Sequence, residues 1–109
     1  MNELKVFENA QFGRVRMFKD EDGEPLLCGA DVAKALGYES PGAAVSNYCR
    51  DAVKRRIIDH LGRNQEMYFI PEQDVLRLIA RSEHPAKQRF ENCWFDEVLP
   101  GLLAGREGG

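Results

Sequence analysis

Two periods of hydrophobic and polar positions alternate along this chain, and together they predict its elements. Val15 and Met17, with Phe18, alternate with Arg14, Arg16 and Lys19, the two-residue period of a strand with one wet face. The acidic run DEDG follows, with Gly23 where positive φ is needed, and PLLC returns as the next strand. Residues 13–29 therefore predict a hairpin. LKVF, at residues 4–7, alternates weakly and predicts a short strand before it. A second hairpin is predicted over residues 55–70, with Ile57-Ile58 and Met67 to Ile70 as strands and LGRNQ as the loop.

Elsewhere the period is helical. Asp31 predicts an N-cap, because its carboxylate can accept from the free N–H groups of a first turn. Val32, Ala35 and Leu36 give that helix an apolar face, and Gly37 suits its left-handed end. Ser40 and Pro41 then read as N-cap and first residue of a second helix. Its inner side carries Val45, Tyr48, Cys49 and Ala52, and Ser46, Asn47, Arg50 and Lys54 fall largely on the other side. Pro71 opens a third helix with Val75, Leu76, Leu78 and Ile79 on a broad apolar face. Pro85 opens a fourth, carrying Phe90, Trp94, Phe95 and Val98, and Pro100 stops it. The order predicts an α+β fold: small antiparallel hairpins packed with about four helices, including a helix-turn-helix-like pair. One domain is expected over residues 1–100, followed by a Gly-rich tail or linker start over 101–109.

Charge changes this picture at one place. The chain of 109 residues carries a net charge of −3, which counts against nonspecific coating of nucleic acid. Residues 41–70 nevertheless hold 5 basic and 3 acidic side chains, whereas residues 1–40 hold 5 and 8 and residues 71–109 hold 5 and 7. The local excess comes from Arg50, Lys54, Arg55, Arg56 and Arg63. Such a patch fits DNA, and equally an acidic protein partner. Cys28, Cys49 and Cys93 are too scattered for a disulfide framework or a zinc site, and His60 and His84 complete no metal spacing, so buried free thiols and no cofactor are expected. Asp31 with His60, or Glu72 with His84, could be drawn as acid–base pairs, but no spacing supports either and no catalysis is expected. No apolar run is long enough to span a membrane, and MNELKVFENA lacks the build of a signal peptide, so a cytoplasmic location is expected.

Three stretches resemble the BRO family N-terminal domain of prophage antirepressors and related proteins of large DNA viruses. They are VFENAQFGRVRMF, DVAKALGYESP and PEQDVLRLIARSEHPAKQRFENCWFDEVLP, in order, covering most of residues 7–100. Leu78, Ser82, Ala86, Lys87, Phe90, Trp94, Val98, Leu99 and Pro100 fall where the family pattern has them. The resemblance implies a prophage origin in a bacterial host and a non-enzymatic regulatory role. It implies DNA binding or, as antirepressors often act, binding of a repressor protein. The family domain is usually followed by a different C-terminal domain, so the resemblance implies that this chain is an isolated N-terminal module, with such a domain beyond it, or a very short family member. The sequence departs from the family in two places: CRDAVKRRI is basic where the family tends to be acidic, and GLLAG intervenes where the family often continues with basic residues.

The helix pair is the leading candidate site. In a helix-turn-helix the first helix braces the second, whose N-terminal half enters the major groove. Here Ser46, Asn47 and Arg50 would meet bases or phosphates, and Lys54, Arg55 and Arg56 would meet phosphates. The expectation is that this positive charge gathers on one outward surface. Gly42, Ala43 and Ala44 occupy the first turn, where long polar side chains would be expected, and an ordinary helical hairpin is the alternative. Arg14 and Arg16, with Lys19, form a second candidate surface, since a two-stranded ribbon can also enter the major groove; the alternative is a solvated strand face. Trp94 and Phe95 read as a core anchor before an interface, and Leu102 and Leu103 would favour a homodimer or a further domain.

Overall fold

The computed structural model describes residues 5–9, 13–58 and 61–98. Strands β1 (Lys5–Asn9), β2 (Gly13–Lys19) and β3 (Pro25–Cys28) lead into helices α1 (Gly29–Ala35) and α2 (Pro41–Tyr48). Strands β4 (Val53–Ile58) and β5 (Asn64–Ile70) follow, then helices α3 (Glu72–Arg81) and α4 (Ala86–Cys93), the last continued by a π-helical turn, Trp94–Val98. The fold is α+β, as predicted. The two hairpins do not stay separate, however. They fuse through β3 and β5 into one antiparallel sheet of order β1-β2-β3-β5-β4. The join is short, Leu27↔Ile70 and Cys28↔Phe69. It forms where the sequence is apolar at consecutive positions: β3 is buried at all four residues, and Phe69 and Ile70 are both fully buried. Such runs mark strands covered on both faces.

Met17, Leu27 and Ile70 stand in one row across the sheet and face the helices. With Val15 they meet Val32, Leu36, Val45, Val75, Leu78, Phe90 and Trp94 in the main core. Each large apolar side chain buried this way contributes roughly 1.5–3 kcal/mol. Trp94 is 1% exposed and stacks on Phe90, whereas Phe95 is half-exposed. The opposite sheet face is not simply wet. Phe18 lies there with Leu26, Cys28 and Phe69, and its ring meets Phe69 edge-on at 4.8 Å. The break in alternation at Met17-Phe18 reflects a strand that buries apolar groups on both sides.

Three local expectations change. Helix α1 starts two residues before Asp31, with Cys28 at the N-cap and no side-chain cap bond, so Asp31 sits in the first turn and does not cap. Helix α2 begins at Ser40-Pro41 as predicted but ends at Tyr48. Cys49 is already extended, and Lys54, placed on that helix by its spacing, belongs to β4 with Arg55 and Arg56, which the second predicted hairpin already included. The β-branched Val53, Ile57 and Ile58 pair with β5 through six consecutive residues, which outweighs the helical spacing of the preceding stretch. The thiols of Cys28, Cys49 and Cys93 are unbridged. Burial, then the nearby Asp74 charge, pushes the Cys49 thiol up to about 12. Among the described residues no helix is long and apolar enough to cross a membrane, and no group of three His, Cys, Asp or Glu is placed to hold a metal. His60, Pro100, Leu102 and Leu103 lie outside the described residues.

Candidate nucleic-acid interface

Helices α1 and α2 form a braced pair. The turn between them is closed by Gly37 N–H to the Lys34 carbonyl and Tyr38 N–H to the Ala33 carbonyl, at 3.0 and 3.1 Å. Gly37 takes φ +86°. Ala33, Ala44 and Val45 bury the contact. Helix α3 locks it from behind: Tyr38 Oη donates to the Leu78 carbonyl at 2.7 Å, and Ser82 Oγ to the Leu36 carbonyl at 2.9 Å. The Arg81 guanidinium lies 5.3 Å from the centre of the Tyr48 ring. The outward residues of α2 are Gly42, Ala43, Ser46 and Asn47. None is charged, so α2 itself offers polar contacts and no phosphate anchor.

The cations come next in the chain and sit on a different element. Residues 49–52 turn away from α2, held by Asp74, whose carboxylate is fully buried on α3. Its two oxygens accept from the Arg50 N–H at 3.0 Å and the Asp51 N–H at 2.8 Å, and Arg77 donates to it as well. The Arg50 residue remains exposed. Strand β4 then carries Lys54, Arg55 and Arg56, all exposed. Because β3 pairs only with the last two residues of β5, the hairpin beyond Phe69 runs on as a two-stranded ribbon. Strand geometry sends Lys54 and Arg56 to one face of the ribbon and Arg55 to the other. The positive charge is thus exposed, but it is divided over two ribbon faces and does not form one surface backed by α1.

The face bearing Lys54 and Arg56 is open throughout. Opposite them stand Tyr68 and Glu66, and the Lys54 ammonium lies 5.6 Å from the centre of the Tyr68 ring. Ile58 and Tyr68 are 68% and 49% exposed, a large apolar share for a surface hairpin. Residues on the other face, Val53, Ile57, Gln65 and Met67, are half-buried. Sequence reasoning did not assign Tyr68 or Asp74. Tyr68 had a signal in the alternation of β5. Asp74 had one in its place four residues before Leu78, on the apolar stripe of α3.

Arg14 and Arg16 lie on β2, three strand steps from β4, or about 14 Å at the usual spacing. The structure does not bring them to the ribbon. Arg14 is exposed, and Arg16 is half-buried against Asp31: its Nε and Nη2 donate to the two Asp31 oxygens at 2.8 and 2.9 Å, and its backbone N–H donates at 3.0 Å. Burial pushes the Asp31 carboxyl up, but the Arg16 side-chain and backbone bonds outweigh it and hold the group below its ordinary value. A depressed folded value stabilises fully above the ordinary carboxylate range and is lost as pH falls through the folded value. Urea midpoints followed from about pH 6 to about pH 2 are therefore expected to fall less steeply for Asp31→Asn than for the parent. Coincident acid limbs would show that the pair contributes nothing.

Residues 14–100 match the family model described as the BRO family, N-terminal domain. An uncharacterized protein of Haemophilus influenzae is 39% identical over 89 residues, which are 81% of this chain and 44% of that protein. The chain thus spans less than half the length of this relative. No solved structure matches it.

Proposed function

The chain belongs to the BRO family through its N-terminal domain, and on that premise we propose that it is a prophage antirepressor-type transcription regulator that binds duplex DNA. The family is one of regulatory domains with a DNA-binding type of role, not one of enzymes. The observation that carries the reading is the Lys54–Arg56 run, exposed on a ribbon that extends beyond the sheet and follows a braced helix pair. Lys54, Arg55, Arg56 and Arg50 meet phosphates. Ser46 and Asn47, on the exposed side of α2, meet base edges, and Asn can pair with adenine through two hydrogen bonds. Arg14 adds a distant phosphate contact. Arg16 contributes only if it leaves Asp31.

Fluorescence anisotropy on duplex DNA at two salt concentrations tests this. Affinity is expected to fall with salt at a log–log slope of about −0.9 per phosphate neutralised. Lys54→Ala is expected to weaken binding alike on all sequences and to reduce the slope by about one phosphate. Asn47→Ala is expected to narrow the gap between preferred and other sequences by roughly 1–3 kcal/mol and leave the slope alone. No binding of duplex DNA even at the lower salt concentration would move the function to the rival reading, a module that binds a repressor protein without touching DNA.

A further inference from the structure

Strand β4 is the terminal strand of the sheet and pairs with β5 alone among the described residues. Its ladder with β5 runs through six consecutive pairs without a bulge, and no proline interrupts it. Natural sheets protect such an edge with bulges, proline, coverage or charge. Among the described residues, charge is the only one of these present. The Lys54 carbonyl accepts from the Arg55 side chain at 3.1 Å, so it lies on the open side of the ladder. Alternation then puts the backbone groups of Arg56 and Ile58 on that side too.

We propose that this edge takes up an extended acidic segment of a partner protein by strand addition. The proposal goes beyond DNA contact, since it uses the in-plane backbone edge and not the cations alone. A second copy of β4 fits poorly. Any antiparallel register that keeps five or six of its residues paired sets arginine against arginine, and like charges directly opposite destabilise. An acidic strand reverses the sign. Because Lys54 and Arg56 point to one face and Arg55 to the other, the complementary acids are contiguous, not alternating. The apolar ends Val53 and Ile57-Ile58 ask for apolar partners on both flanks, and Ile58 is the most exposed large apolar residue described. Antiparallel to VKRRII, the complement therefore reads apolar, apolar, acid, acid, acid, apolar. Backbone bonds would supply affinity and these side chains selectivity.

The probe is a fluorescent IIEEEV peptide titrated onto the full chain, with IIKKKV as the reversed-charge control and IIEEEV N-methylated at alternate residues in both registers. IIEEEV is expected to bind at least tenfold tighter than IIKKKV, and one N-methylated form is expected to lose tenfold or more. Amide hydrogen exchange at Lys54, Arg56 and Ile58 is expected to slow on binding. The charge-reversed variant Lys54→Glu with Arg55→Glu is expected to exchange the two preferences. Full binding by both N-methylated peptides would reduce the effect to bulk charge and overturn strand addition. Slowing of the same amides by a short DNA duplex but not by IIEEEV would overturn it in favour of nucleic acid. Exchange of preference in the variant, with the parental urea midpoint, separates loss of the site from loss of the fold.

Discussion

Asp74→Ala is expected to lower stability by about 3 kcal/mol in urea unfolding. The carboxylate is fully buried, yet it accepts from two successive backbone N–H groups, those of Arg50 and Asp51, and from the Arg77 side chain. Hydrogen bonds to a charged group contribute roughly 1.5–3 kcal/mol each. Part of that returns in the variant, because Arg50 and Asp51 are exposed and their N–H groups regain water. Asp74→Asn keeps the shape but has one oxygen where two are used, so it is expected to lose about half as much. A cost below about 1 kcal/mol for alanine would show that the loop does not depend on the carboxylate.

The consequence reaches the surface. Asp74 does not face DNA or any partner in either reading. It is a positioning residue, which turns the chain after α2 so that Arg50 stands out and β4 can start at Val53. Asp74→Ala is therefore also expected to speed amide exchange at Arg50 and Asp51 while leaving the β4–β5 ladder protected. Loss of protection throughout the ladder would make Asp74 a general core residue instead.

The elements that could be read from the sequence are those whose signals are local. Ser40-Pro41, Gly37, Gly23, Pro71 and Pro85 mark ends that depend on one residue's φ or missing N–H, and the elements begin or end there. The helical faces of Val32, Leu36, Val75 and Leu78 follow from spacing and are buried. What could not be read depends on distant partners. Asp31 has the chemistry of a cap, but Arg16, fifteen residues earlier, claims its oxygens. Helical spacing runs on through Cys49 and Ala52, but Asp74, more than twenty residues later, takes the N–H groups of the next turn, and β5 takes the strand beyond it. The same distant pairings moved Lys54 from an expected helix face to the ribbon, where Arg55 and Arg56 stand as the predicted hairpin has them. The charge of the triplet and the hairpin under Arg55 and Arg56 were legible; the break between α2 and Lys54 was not.

Gly37→Ala is expected to cost about 3 kcal/mol, more than any other single methyl added to this fold's turns. Two separate effects add. At φ +86° an alanine pays roughly 1–2 kcal/mol for the left-handed region. Its Cβ would also stand 2.2 Å from His84 Cγ and 2.6 Å from His84 Cβ and Cδ2, so the 82–85 segment must move. That segment is tied to the same helix pair, because Ser82 Oγ donates to the Leu36 carbonyl and accepts from the His84 N–H. Gly23→Ala isolates the first effect: φ is +83° and nothing lies within 4 Å of the added carbon. Introducing Gly37→Ala into a His84→Gly background removes the second, and its cost is expected to shrink to about that of Gly23→Ala. Urea midpoints of the four variants close the cycle. If Gly37→Ala costs no more than Gly23→Ala in the parent chain, the turn between α1 and α2 is not clamped by the 82–85 segment, and the bracing of α2 must be ascribed to Tyr38 and the buried Ala33–Ala44 contact instead.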